Sequence, residues 1–248
     1  VMLVNINPGC LFGGSATEYF VGDFDGKNFK CDTPPNEYNF LDYGKDNYAT
    51  VCFSGVEDRV LSIAWMSNWQ YANITPIKQY RGANTLPREL KLYTGTDGKL
   101  YVSNNVAPEV KALRKNTITL PAMNVKTFTD KKNIIKSKEN AFELEMDVTP
   151  ASMATTGIEL YNAKGEKVNI YFDMRKLVMD RTESGLIEFG KLAVPHDIEK
   201  NYSDLHQGVG NTPFRVFNSI NYKNDFALGT WAPLSLCEGK TYHVDIFV

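Results

Sequence analysis

Histidine is scarce in these 248 residues, with three in all, and the four cysteines never fall at a Cys-x-x-Cys spacing. That poverty argues against a zinc site, and neither a metal nor a cofactor is expected. Charge of one sign is lacking too. The 27 basic residues nearly balance the 29 acidic ones, so there is no electrostatic footprint for nucleic acid. No apolar run approaches the ~20 residues that a bilayer-spanning helix needs. Helical periodicity is confined to Ala107–Arg114, with Pro108 near a first turn, and that window suits a loop or one turn equally well. Cys10, Cys31, Cys52 and Cys237 read as buried, unbridged thiols that pack as small hydrophobes. His196, His206 and His243 are scattered and receive no role, His243 merely decorating a sheet face. The cationic stretch from Lys126 to Lys138 reads as a solvated loop or edge strand, where lysine discourages unwanted pairing.

What the chain has in quantity is period-two alternation. Phe142, Leu144, Met146 and Val148 alternate with Glu143, Glu145 and Asp147. Val168, Ile170 and Phe172 repeat the pattern, as do Tyr242, Val244, Ile246 and Val248, so half-buried strands are expected at all three places. Asp25-Gly26 and Asp97-Gly98 are hairpin dipeptides, and Ala163-Lys164-Gly165-Glu166 predicts a third tight turn. The fold class is nearly all-β. Residues 1–105 are rich in aromatic residues and glycine, whereas residues 116–248 carry the longer alternating strands of a sandwich. Residues 106–115 read as the connector.

One segment points to chemistry. From Leu61 an apolar run leads into Trp65-Met66-Ser67-Asn68-Trp69-Gln70-Tyr71-Ala72. Flat indole faces beside amide donors and acceptors suit a sugar ring, which offers C–H bonds on its face and hydroxyls around its rim. The competing reading places both indoles in the core, where Trp is usually buried.

The wording of residues 65–72, followed by Arg81-Gly82-Ala83 and Leu86-Pro87-Arg88-Glu89-Leu90, resembles glycoside hydrolase family 32, which contains invertases, inulinases and levanases. Gly13-Gly14-Ser15-Ala16-Thr17-Glu18-Tyr19-Phe20-Val21-Gly22-Asp23-Phe24-Asp25-Gly26 is similar to that family's glycine-rich strand pair. Leu41-Asp42-Tyr43-Gly44-Lys45-Asp46-Asn47-Tyr48-Ala49 and Met179-Asp180-Arg181-Thr182-Glu183-Ser184-Gly185 resemble two further family segments. The resemblance implies part of a five-bladed β-propeller followed by a C-terminal β-sandwich. A blade has four strands, so residues 1–105 supply about two blades and need the others as partner, from the same polypeptide or an associated fragment. It also implies retaining hydrolysis of fructan or sucrose by two carboxylates. A polymeric substrate favours an extracellular or periplasmic setting.

The family's reactive acids lie in Asn-Asp-Pro-Asn, Arg-Asp-Pro and Glu-Cys motifs, and neither Asp-Pro nor Glu-Cys occurs in this sequence; Cys237-Glu238 has the reverse order. The chain is therefore expected to be an internal piece of a longer enzyme, without catalytic residues of its own and inactive alone. The resemblance assigns Trp69 to the fructose pocket. Asn68 is expected to bond a sugar hydroxyl or orient a catalytic carboxylate. Trp65 should share a strand face with Trp69, which leaves open which of the two lines the pocket and which is structural. Asp25 reaches toward the leaving group or merely shapes its turn, and Lys27 sits one residue nearer to it than the family spacing. Tyr48 and Asp46 support the acid/base glutamate through hydrogen bonds. Arg81 reads as structural, and Asp180 with Arg181 as a local turn or interdomain contact. Two other readings stand beside this one: a carbohydrate-binding remnant without catalysis, and a sandwich that serves as an interaction module.

Overall fold

The computed structural model describes residues 1–80, 82–125, 137, 141–152, 155–192, 226–234 and 237–248. Arg81, His196, His206 and all of the Lys126–Lys138 stretch except Ser137 lie outside the described residues.

Alternating and β-branched residues become strands almost throughout. β1 (Met2–Ile6) and β2 (Ala16–Phe20) pair antiparallel, with Met2 opposite Phe20. β3 (Gly22–Phe24) and β4 (Phe29–Cys31) form the hairpin turned by Asp25-Gly26. β5 (Tyr48–Cys52), β6 (Val60–Trp65), β7 (Arg88–Thr94) and β8 (Leu100–Val106) make a four-stranded antiparallel sheet in sequence order, the composition of one propeller blade. The segment Asn39–Leu41 runs beside β2, where the Tyr19 amide donates to the Asn39 carbonyl and the Leu41 amide to the Thr17 carbonyl, both at 2.9 Å. Tyr19, Val21 and Leu41 are buried between these strands and the blade, against Leu3, Leu90 and Val102. Asn104 Nδ2 donates to the Leu41 carbonyl (2.7 Å), and Arg88 pairs with Asp42 (2.7 Å), closing the same seam.

The helix-like window is a short 3-10 turn, Pro108–Leu113, with proline in its first turn and no buried residue. Beyond it, β9 (Glu143–Val148) pairs antiparallel with β14 (Tyr242–Phe247). β10 (Thr156–Tyr161), β11 (Lys167–Asp173), β12 (Lys176–Glu183) and β13 (Gly229–Pro233) form a four-stranded antiparallel sheet. Met146 and Val244 of the two-stranded ribbon share an apolar cavity of about 40 Å³ with Ile158, Ile170, Phe172 and Leu177 of the sheet. The two sheets thus meet through the apolar halves of their alternating strands, as in a sandwich.

The N-terminal and C-terminal regions also share one hydrophobic cluster. Leu228 is buried with Cys10, Phe12, Ala16 and Phe40, and Trp231 packs edge-on against Phe12 at 5.8 Å between ring centroids. Of the four thiols expected in the core, only Cys10 is there, its pKa pushed up to about 11 chiefly by burial. Cys31 and Cys52 end short strands at the surface and Cys237 lies beside a turn, so all three are exposed.

Candidate substrate wall

The Trp65–Ala72 segment does not continue as one strand. β6 ends at Trp65, and the Met66 amide donates across to the Ala83 carbonyl (2.7 Å). The chain then turns at Asn68, whose carbonyl receives the amides of Tyr71 (3.1 Å) and Ala72 (2.9 Å). The two indoles therefore do not share a face of one strand, as their spacing suggested. The turn brings them together instead, with ring centroids 5.0 Å apart and planes inclined by 58°. Tyr48 extends the row, 6.3 Å from Trp65. It sits beside a register shift between β5 and β6, where Ala49 adopts φ +53°, and such bulges re-aim side chains. Trp69 is 45% exposed, so the reading that buries it in the core fails. Trp65 is half-buried, its indole crossed by Gly82 at φ +71°, where a Cβ would lie 2.2 Å from Nε1. Only glycine lets the backbone pass there.

Asn68 does something other than expected. It is wholly buried, and its side chain is spent on backbone. Nδ2 donates to the carbonyls of Lys45 (2.9 Å), Gly13 (3.3 Å) and Ser15 (3.3 Å). Oδ1 accepts from the amides of Gln70 (2.9 Å) and Ser15 (3.4 Å). A direct bond from this amide to a sugar hydroxyl is ruled out by that geometry, because no donor or acceptor is left facing solvent. Asn68 is a clamp that ties three chain segments together. The glycine pair of Gly13-Gly14-Ser15 makes it possible, since Gly14 has φ +75° and a Cβ there would lie 1.9 Å from Oδ1. Ser15 Oγ accepts from the Trp69 amide at 3.2 Å. Lys45, buried as deeply, donates from Nζ to the Phe12 carbonyl (3.1 Å) and to Gln70 Oε1.

Asp46 is bonded across the junction with the sandwich. Its carboxylate receives the Tyr71 hydroxyl (2.5 Å) and Arg181 Nη1 (2.6 Å), a residue of the sandwich. The pair with Arg181 joins the two regions, and the guanidinium supplies the counter-charge that a half-buried carboxylate needs. Burial, and after it the Asp46 charge, drive the Tyr71 hydroxyl well above its ordinary pKa, so it stays protonated and donates. Asp180 makes the local turn, with Oδ1 accepting the Thr182 amide (2.9 Å) and hydroxyl (2.7 Å). Asp25 lies on the exposed β3–β4 hairpin, where Oδ1 accepts the amides of Lys27 (2.8 Å) and Asn28 (2.7 Å). Those bonds hold its carboxyl below the usual carboxylate range. The structure thus joins Tyr48, Trp65 and Trp69 into one wall, places Asn68 and Asp46 behind it, and leaves Asp25 on a separate hairpin. Sequence reasoning missed Ser15, Lys45, Gln70 and Tyr71 as the clamp, although the Gly13-Gly14 pair was a legible sign of a close approach.

Among the described residues, one group of ligand-type atoms lies within reach of a single cation: Glu145, His243 and Asp245, all exposed. His243 Nδ1 is bonded to Asp147 at 2.8 Å and Nε2 lies 3.3 Å from Asp245, so these side chains make a cross-strand ion network.

A blade-like sheet that carries an aromatic row and packs against a sandwich defines the class of fold, a propeller segment joined to a β-sandwich. Comparison with known proteins makes the family definite. Residues 1–104 match the model described as glycosyl hydrolases family 32 N-terminal domain, and residues 109–248 match glycosyl hydrolases family 32 C terminal. The chain belongs to glycosyl hydrolase family 32. It is 38% identical over 231 residues to a levanase of Bacillus subtilis, covering 88% of this chain and 32% of that protein. It is 43% identical over 115 residues to an extracellular exo-inulinase of Meyerozyma guilliermondii, covering 46% and 20%. A fructofuranosidase from Schwanniomyces occidentalis, solved with fructosylnystose, superposes on 73% of this chain and 38% of its own, at TM-score 0.57 and 33% identity. An exo-inulinase from Aspergillus awamori superposes on 99% of this chain and 43% of its own, at TM-score 0.65 and 22% identity. The fold is that of these neighbours, part of a five-bladed β-propeller followed by a β-sandwich. The chain spans 32% of the levanase's length and 20% of the inulinase's.

Proposed function

We propose that the polypeptide carrying these residues hydrolyses β-fructosidic bonds of levan, inulin or sucrose with retention, and that this chain supplies the wall of the fructose pocket together with the sandwich. Residues 1–105 are the end of the propeller, 106–115 the connector and 116–248 the sandwich. The two reacting carboxylates are contributed by propeller blades outside these 248 residues. The observation that carries the reading is the Tyr48–Trp65–Trp69 row, its Trp69 end exposed, held on a polar clamp, in a chain 38% identical to a levanase. Trp69 packs on the sugar face, Trp65 and Tyr48 continue the surface, and Asn68 and Asp46 hold the wall from behind.

The test is kinetic. In the whole polypeptide, Trp69→Ala should lower kcat/KM for inulin or sucrose by about a hundredfold while leaving the fold intact, as loss of a stacking surface predicts. An unchanged kcat/KM would remove the wall from the reading. The 248-residue chain alone should release no fructose. Fructose release by it would require an unrecognised carboxylate pair and would overturn the division of labour. Calorimetry with inulin on the chain alone addresses the binding-remnant reading, for which weak binding without any catalytic partner polypeptide is the requirement. Sedimentation of the chain addresses the interaction-module reading, which requires a dimer.

A further inference from the structure

We infer that Arg181, on the sandwich, is a positioning residue for the pocket wall: it holds the Trp69 turn in place through Tyr71 and Asp46. Its activity consequence rests on the fructoside reading above; its structural consequence stands apart from it.

Arg181 lies 135 residues from Asp46 and 110 from Tyr71, yet all three of its nitrogens are engaged on one junction. Nη1 donates to Asp46 Oδ2 at 2.6 Å, Nη2 to the Tyr71 hydroxyl at 2.9 Å, and Nε to the Phe226 carbonyl at 2.7 Å. The Tyr71 hydroxyl passes its own proton toward Asp46 Oδ1 at 2.5 Å, which closes a three-membered Arg–Asp–Tyr ring. The guanidinium lies 4.0 Å above the Phe226 ring. Tyr71 is 2% exposed, with Phe226 edge-on at 5.4 Å and Phe189 at 6.1 Å. The packing aromatics around Tyr71 and one of its two cations thus come from the sandwich side; the other cation is Lys45, whose Nζ lies 5.4 Å from the ring centroid.

Tyr71 stands two residues after Trp69, and Asn68 stands one before it. One neighbour is fixed by the glycine-rich segment and Lys45, the other by Arg181 and its aromatic box. Trp69 itself is 45% exposed, so beyond its contact with the Trp65 ring and its amide bond to Ser15 Oγ the placement of its ring is inherited from these two anchors. Removing the guanidinium leaves the Asp46 carboxylate without a counter-charge and the Tyr71 hydroxyl with one partner fewer. The turn then loosens at its Tyr71 end. A role as mere domain glue predicts lower stability and an unchanged wall; a positioning role predicts a displaced wall in a folded protein.

The experiment uses the whole polypeptide that carries these residues, labelled with 5-fluorotryptophan. Resonances of Trp65 and Trp69 are assigned through Trp65→Phe and Trp69→Phe. Arg181→Met should shift and broaden the Trp69 resonance and raise KM for inulin or sucrose about tenfold, with kcat changed by less than about threefold. Tyr71→Phe, which keeps the ring and deletes the hydroxyl, should produce the same changes at smaller amplitude. A folded Arg181→Met protein whose Trp69 resonance and KM match the unsubstituted one would overturn the inference. Where Arg181→Met does not fold, Tyr71→Phe decides by the same two readouts, and silence in both is again fatal. If the unsubstituted polypeptide turns over no fructoside, the functional reading fails by itself and the fluorine resonances still decide the positioning claim.

Discussion

The two halves of this molecule are held together by different physics. In residues 1–106 the most deeply buried side chains include Lys45, Asn68, Thr17, Ser15 and Ser62, nearly all polar. Among the described residues of the sandwich the buried positions are chiefly apolar, among them Phe172, Val178 and Ile246, and charges such as Lys167 with Glu183 and His243 with Asp147 pair toward solvent. A buried polar side chain stabilises only if its bonds are made with good geometry, so the first region tolerates little displacement. An apolar interlayer is less directional and tolerates more. The aromatic row, exposed at Trp69, sits on the region that is geometrically exacting, which is the arrangement the proposed binding surface requires.

The sharpest way to break that comparison is a pair of glycine substitutions. Gly14→Ala, with φ +75° and a Cβ 1.9 Å from Asn68 Oδ1, should cost about 3 kcal/mol or more, by strain and by the lost clamp. Gly165→Ala in the β10–β11 hairpin has a similar φ of +83° but open space, and should cost about 1 kcal/mol. Equal costs by urea unfolding would mean the clamp is not what makes the first region exacting. An ion-pair comparison comes next. Asp46→Ala should destabilise by about 3 kcal/mol, because Arg181 is 14% exposed and would be stranded. Glu183→Ala on the sandwich, where Glu183 is 62% exposed beside Lys167, should cost under about 1 kcal/mol.

Thiol labelling sharpens the contrast without any substitution. Cys31, Cys52 and Cys237 should react with a disulfide reagent in the native state, while Cys10, buried and with its pKa about 11, should react only on unfolding. Rapid labelling of Cys10 would place its cluster in contact with solvent. The smallest effect concerns pH. His243 pairs with Asp147 and faces Asp245, and the Asp147 bond first, then the Asp245 charge, raise its pKa above the ordinary 6.5. A raised histidine pKa contributes stability that is fully present below 6.5 and lost as pH rises through the folded-state value. Melting temperatures of the protein should therefore fall slightly as pH rises above 6.5, relative to His243→Gln, and parallel curves would refute the coupling.

Much of the architecture was legible in the residues. Alternation at Phe142–Val148 and Tyr242–Val248 announced β9 and β14, which pair with each other, and Asp25-Gly26 and Asp97-Gly98 turn two hairpins. The Trp65–Trp69 segment reads as a surface for chemistry, and what the structure shows of it is that both rings and Tyr48 lie together. Residue type did not reveal the direction in which Asn68 and Asp46 point. An amide beside a tryptophan can face a ligand or a backbone with equal ease, and the choice depended on Gly13 and Gly14, more than 50 residues away in the chain. Arg181 was assigned either a turn or an interdomain contact; it makes the latter, and Asp180 makes the former.

The sequence alone determined the β periodicity, the tight turns and an aromatic–amide cluster of family 32 wording, because these are properties of neighbouring residues and of the backbone angles they permit. The tertiary structure decided which side chains became wall and which became anchor. That division is set by long-range partners for buried polar groups, and such partners are distant in the chain and close only after it has folded.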